Sequence, residues 1–173
     1  MRRALLSRNE EGVVLVLCLI TLVLLTLIGI SATTTSQLEA EISGNDKTYK
    51  EAFYAAEVSL TAGETVVNSL LSRVELNEGT MPGRYVKGTQ PAWDHLVWDN
   101  AHTAVVDPVP SGLSKMSDPP RYTIEERKFT TDDVLTGHDP STGTYLFTVK
   151  GQGTGTSKAA HVVLESIYAK KYN

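Results

Sequence analysis

Apolar residues are spread very unevenly along this chain. One unbroken block, VVLVLCLITLVLLTLIGI from Val13 to Ile30, holds no charged residue. Eighteen residues at about 1.5 Å each make a helix of roughly 27 Å, close to the ~30 Å hydrocarbon thickness of a bilayer, so the block predicts a membrane-crossing helix. No proline separates it from SATTTSQLEAEISGNDKTYKEAFYAAEVSLTAGETVVNSLLSRVEL. There Phe53, Ala56, Leu60, Gly63, Val67, Leu70 and Val74 recur at steps of three and four, the signature of an amphipathic helix with one stripe turned to a core. After Glu78-Gly79 the periodicity lapses through Met81-Pro82-Gly83 to Pro119-Pro120, where irregular chain with short strands is expected. Three strand-like runs follow, Arg121 to Phe129, Thr144 to Lys150 and Ala160 to Ala169. In the last, Val162, Leu164, Ser166 and Tyr168 alternate with Val163, Glu165, Ile167 and Ala169. Asp139 to Gly143 and Gly151 to Gly155 read as turns, which favours an antiparallel meander.

The pattern therefore predicts an α+β chain: a long N-terminal helix, transmembrane in its first half and amphipathic in its second, packed on a small antiparallel β-sheet. The expected organisation is a cytoplasmic leader at 1–12, the span at 13–32, its amphipathic continuation at 33–78, and a β-rich domain at 79–173. Gly44-Asn45-Asp46 is the weak point of the helix, since Gly costs about 1 kcal/mol against Ala and Asn and Asp compete for backbone hydrogen bonds. A kink or melted stretch is expected near 44–46. A helix from Val13 to about Glu78 would be on the order of 100 Å long, more than one small domain covers, so the excess must lie in lipid or on other subunits.

Charge fixes the orientation. Arg2, Arg3 and Arg8 precede the block and Glu39, Glu41 and Asp46 follow it, which keeps the N-terminus in the cytoplasm and sends the rest across an inner membrane to the periplasm or beyond. Three processing fates are open. The segment is an uncleaved anchor, or a secretory signal cut at Gly29-Ile30-Ser31, or a span whose leader is cut between Gly12 and Val13. The unbroken continuation into the amphipathic helix favours the third. The formal net charge of -4 across 173 residues gives no basic stripe to displace counterions from phosphates, so nucleic acid is not an expected partner. The one cysteine, Cys18, lies inside the apolar block, so the β-rich part has neither a disulfide nor a cysteine metal site.

Candidate chemistry is sparse. Trp93 and Trp98, flanked by Asp94, His95, Asp99 and His102, suggest a carbohydrate platform or a metal cluster, but aromatics in a small domain more often anchor a core or loop, and a third ligand at suitable spacing is missing. Thr130 to Asp133 with His138-Asp139 lacks the regular spacing of a calcium loop. Gly151-Gln152-Gly153-Thr154-Gly155 precedes a strand, not a helix, so it is not read as a phosphate cradle. With no Gly-x-Ser-x-Gly elbow and no His-Glu-x-x-His pair, no catalytic residue, cofactor or metal is expected.

The N-terminal stretches Glu11-Gly12-Val13-Val14-Leu15, Thr26 to Ala32, Leu38-Glu39, Gly44-Asn45 and Ala52-Phe53-Tyr54-Ala55-Ala56-Glu57 resemble the signature of the PilX family of type IV pilus-assembly proteins. Pro120 to Glu125 and the run from Phe147 to Ser166 are similar to that family's C-terminal region. The resemblance implies a pilin-like fold and a minor pilin, with prepilin-peptidase cleavage after Gly12 and N-methylation of Val13. A glycine at the scissile bond leaves the backbone open to the peptidase. It implies as partners other minor pilins, the major pilin, the peptidase and inner-membrane lipid. One departure bears on function. Major pilins carry a glutamate at the fifth mature position, paired with the N-terminal amine of a neighbouring subunit, and the fifth position counted from Val13 is Leu17. A chain without that group is suited to a tip or an initiating complex rather than to the repeating fibre. Lipid gives little hydrophobic drive between helices, so Gly29, Ser31 and Ala32 mark the expected close helix contacts. A type II secretion pseudopilin, a single-span binding module and a secreted hydrolase remain as alternatives.

Overall fold

The computed structural model describes residues 7–70, 82–92, 95–113, 115–131 and 143–172. One helix, α1, runs from Ser7 to Ser69. It is followed by β1 (Arg84–Tyr85), β2 (Ala104–Val105), a single 3-10 turn at Ser111–Leu113, and the long strands β3 (Arg121–Thr131), β4 (Gly143–Thr154) and β5 (His161–Tyr172). The chain divides into two compact units, Met1–Asn45 and Asp46–Asn173. The division falls within the Gly44-Asn45-Asp46 segment, which is itself helical. Residues 71–81 lie outside the described residues, and with them Val74 and the expected helix end near Glu78.

In the first unit every described side chain is exposed, from Gly12 to Asn45. The five threonines from Thr21 to Thr35 that it could leave as bare hydroxyls in an apolar setting are handled locally. Thr21 donates to the Cys18 carbonyl, Thr26 to Val23, and Thr33, Thr34 and Thr35 to carbonyls at Gly29, Ile30 and Ser31. Hydroxyls satisfied one turn back need no water and no second chain.

The second unit is an α+β arrangement, the helix from Asp46 onward lying on a mixed five-stranded sheet. The sheet order is β1-β3-β4-β5, with β2 also on β3. β3, β4 and β5 form the expected antiparallel meander, and the two-residue β1 adds a parallel pairing with β3. One register shift interrupts β3 between Glu126 and Lys128.

Two sequence expectations need correcting. Gly151 and Gly153 are not turn residues; they lie inside β4, on the same face as Tyr145, Phe147 and Val149, all buried. A side chain at Gly153 would run into the backbone of Ala52, Ala55 and Ala56, one at Gly151 into Ser59 and the Ala56 carbonyl, and one at Gly155 into Thr48. The helix backbone therefore rests directly on the strand. The helix stripe holds at Ala56, Gly63, Val67 and Leu70, all buried, with Leu60 packed beside them, but Ala52, Ala55 and Ser59 join it and Phe53 does not, being 43% exposed. Small residues were chosen by closeness, which a search for large apolar side chains passes over.

Along this contact the sizes are graded. Glycines meet alanines at the Thr48 end; then Gly63 on the helix makes room for Val149 and Tyr122; then Val67 and Leu70 meet Phe147 and Tyr145. Phe129 and Tyr145 stack at 4.2 Å between ring centroids, and Tyr145 continues to Phe147. At that wider end Lys170 of β5 closes the helix, its ammonium donating to the carbonyls of Val67 (3.0 Å), Asn68 (2.7 Å) and Leu70. The last turn of α1 holds no basic residue of its own, so the cation that suits a helix C-terminus comes from the sheet.

The segment between the helix and β3 covers the other face of β3 and β4. Gln90 donates to buried Thr123, Gly88 N–H to the Glu125 carboxylate, and Asp118 and Thr154 bond reciprocally. Leu96, Val106 and Leu113 are the buried apolar residues of this layer.

Candidate assembly surface

The residues expected to carry processing and membrane packing all lie on α1, in the first unit. Gly12 is in the helix with open space around it. Val13 follows at 67% exposure, and Leu17, one turn on, is likewise exposed. Through the whole block from Val13 to Ile30 no side chain is buried, and the helix is long and apolar enough to cross a membrane. A helix that is apolar on every side and uncovered on every side has water as its worst solvent. At about 25 cal/mol per Å² of apolar area, such a surface must be taken up by lipid or protein.

Gly29, Ser31 and Ala32 are also exposed. They adjoin a shallow groove along the helix lined by Leu27, Ile28, Ser31, Ala32, Thr35, Ser36 and Glu39. The groove exists because Ser31, Ala32 and Ser36 are small where their neighbours are long, which allows another backbone to come close. Leu17 brings an aliphatic group where an ionisable one would be costly and would need a partner. No acidic or basic residue lies within Val13 to Ile30.

A family model described as PilX N-terminal matches residues 11–61. The match covers the helical first part of the chain and is consistent with a PilX-family type IV pilus protein. The match begins just before Gly12 and ends within the sheet-packed part of α1, so the matched stretch includes both the exposed apolar surface and much of the docking surface for the sheet. It supports a type IV pilus-related pilin, and PilX-family pilins are structural proteins rather than enzymes. No curated protein matches the chain, and no solved structure does.

The other candidates resolve into structural roles where they are described. Trp93 and Asp94 lie outside the described residues, as do Asp132, Asp133, His138 and Asp139. Trp98 is half-buried and His95 exposed. Asp99 caps a turn: its carboxylate accepts from Ala101 N–H (3.0 Å), His102 N–H (2.9 Å) and the His102 ring at Nδ1 (2.7 Å). The bond from the His102 ring is the largest of the causes that hold the Asp99 carboxyl below its ordinary range. Tyr85 donates to the His102 carbonyl at 2.8 Å, and burial, with the Asp99 charge second, pushes its hydroxyl up. Among the described residues no group of three or more His, Cys, Asp or Glu is placed to hold a metal.

Two functional features escaped the sequence reading. One is the Gly151-Gly153-Gly155 platform, whose signal was the alternation of glycine with other residues at the strand period of two. The other is Lys170, which no local pattern links to a helix end a hundred residues earlier.

Proposed function

We propose that this chain is a minor pilin that enters the inner membrane with its N-terminus in the cytoplasm, is cut after Gly12 and methylated at Val13, and then packs with other pilins to start or cap a type IV pilus. The observation that carries this reading is the continuous helix under the PilX match, in which the wholly exposed apolar run from Val13 to Ile30 leads into the segment docked on the β-sheet. Prepilin peptidase, the other minor pilins and the major pilin are the proposed partners. Assembly rests on van der Waals packing in lipid, with Gly29, Ser31 and Ala32 at the closest approaches, followed by extraction of the helix into the fibre. Leu17 supports a low-copy position, because the subunit cannot offer the carboxylate that would pair with a neighbour's amine.

The mature N-terminus, read by mass spectrometry on protein from the native host, tests this. Methylated Val13 is the expected result. A chain beginning at Ala32 would make it a secreted protein, and one beginning at Met1 an uncleaved anchor. Purified pili are expected to contain the protein at a small fraction of the major subunit; finding it as the main component would overturn the low-copy role.

A further inference from the structure

β5 is the one long strand paired on a single side among the described residues. Its twelve residues pair with β4 without a register shift, and it contains neither Pro nor Gly. Edges of this length are normally blunted by a bulge, a proline or a central lysine. Here the two lysines, Lys170 and Lys171, stand at the end. The burial of the two neighbouring strands differs accordingly. β4 is buried along most of its length, whereas β5 is half-buried on the helix side and exposed on the other, with Val163 at 39% and Ile167 at 57%.

We propose that the free edge of β5 pairs antiparallel with β5 of a second copy of this chain, about a two-fold axis at Tyr168. The charges select both occupant and register. Opposite residues of an antiparallel pair share a face, so only residues of like parity can be matched across the axis. An axis at Glu165 sets that carboxylate against itself. One at Ser166 sets His161 against Lys171, and one at Ile167 leaves Glu165 facing Ala169. The axis at Tyr168 places Glu165 of each copy opposite Lys171 of the other, on the exposed face where both lie. It also matches Ile167 with Ala169 twice and brings the two Tyr168 rings side by side on the helix-facing side. Within one copy Glu165 stands opposite Lys150 and Lys171 opposite Thr144, so each new pair sets Glu165 between Lys150 of its own copy and Lys171 of the other.

The same geometry says which copies meet. Glu64 accepts from Ser166, and Val67, Asn68 and Leu70 accept from Lys170, so the sheet-packed part of α1 runs in the direction of β5. A two-fold pair of β5 strands therefore has its two helices antiparallel. The copies that meet are therefore those whose sheet-packed helices run in opposite directions.

Disulfide trapping in the full chain tests the pairing. In a Cys18→Ser background in detergent micelles, where either orientation is open, Ile167→Cys and Ala169→Cys are prepared separately, mixed and mildly oxidised. Residues 167 and 169 of opposite copies are cross-strand neighbours, within disulfide reach, while each residue and its own copy are a diagonal apart. The mixture is expected to give several-fold more linked dimer than either variant alone. Adding Glu165→Lys to both should remove most of the linkage, and adding Glu165→Lys with Lys171→Glu should restore it. Equal linkage in the single variants and the mixture would mean dimers made by the membrane helix, and no linkage would mean that the two β5 edges do not pair; either overturns the proposal. Failure of the charge swap to restore linkage would overturn the register.

Discussion

The two ends of α1 solve opposite problems with the same secondary structure. From Val13 to Ile30 the helix is large and apolar all round and touches nothing. From Ala52 to Gly63 its buried face is small, Ala52, Ala55, Ala56, Ser59 and Gly63, and it touches the sheet so closely that two strand glycines have no room for a methyl group. The first end is written for a partner outside the chain, and so it keeps a surface that many neighbours fit. The second is written for one partner inside the chain, and so it is shaped to a single strand. Hydrophobicity therefore tells where the helix meets lipid, and residue size tells where it meets its own domain.

The strongest way to break this contrast is to add bulk at the close end. Gly153→Val drives two branches into the backbone of Ala52, Ala55 and Ala56, where no rotamer change gives relief. Overpacking of a rigid contact costs about 1–3 kcal/mol, and backbone as the obstacle puts this case at the top of that range or beyond. The urea midpoint of the full chain in micelles is expected to fall steeply, with loss of the near-ultraviolet signal of Tyr145 and its neighbours. The same exchange at Gly29, which has open space around it, should leave the midpoint unchanged.

The mirror-image test puts a charge at the open end. Ile20→Arg sits in the middle of the Val13 to Ile30 block, where an arginine costs about 2.5–3.5 kcal/mol of insertion. Membrane fractionation is expected to show part of the protein leaving the bilayer, while the unfolding of the second unit stays as before. Were both properties to change together, the two ends of the helix would not be independent.

How far this was legible in the sequence follows from the same contrast. The apolar block is a composition signal that depends on no other part of the chain, and it was read directly. The three long strands were found too, though β4 was cut short at Lys150 because Gly151 and Gly153 looked like turn residues. Glycine in a strand marks either a bend or a close backbone approach, and only the position of the helix distinguishes them. Phe53 was placed in the core for the converse reason: it is large, apolar and correctly spaced, yet the strand it would have met is lined with glycine and leaves space only for alanine. Lys170 was invisible because its partners are carbonyls of Val67, Asn68 and Leu70, which carry no side-chain signature.

Lys170 gives a weaker test at the wide end of the contact. Lys170→Met keeps most of the aliphatic stem and removes the three donors to the helix C-terminus. Loss of a charge-assisted cap is expected to cost about 1–2 kcal/mol. The fall in urea midpoint should be smaller than for Gly153→Val, and hydrogen exchange should quicken in the last turn of α1 before it does in Ala52 to Ser59. A uniform change along the helix would mean that the graded contact does not hold its two ends separately.

The smallest effect belongs to a loop far from either end of that contrast. Asp99 ties the turn leading into β2 through bonds from two backbone N–H groups and the His102 ring, and its carboxyl is held below its ordinary range, first by the His102 ring bond. A depressed folded-state value means that the ionised form is favoured by folding. The contribution is complete above the ordinary carboxylate value of about 3.9 and is lost as pH falls through the lower folded value. Asp99→Asn keeps an oxygen for the N–H groups but cannot titrate. The difference in urea midpoint between the two proteins should therefore be small and constant near neutrality and shrink only in acid, below the ordinary carboxylate range. Because Asp99 is only half-buried and belongs to the second unit alone, membrane fractionation of Asp99→Asn should match the parent at every pH where the second unit stays folded. A difference that grew as the pH fell would reverse the sign argued for the carboxylate, and one that stayed constant into acid would assign the turn's stability to its backbone bonds alone.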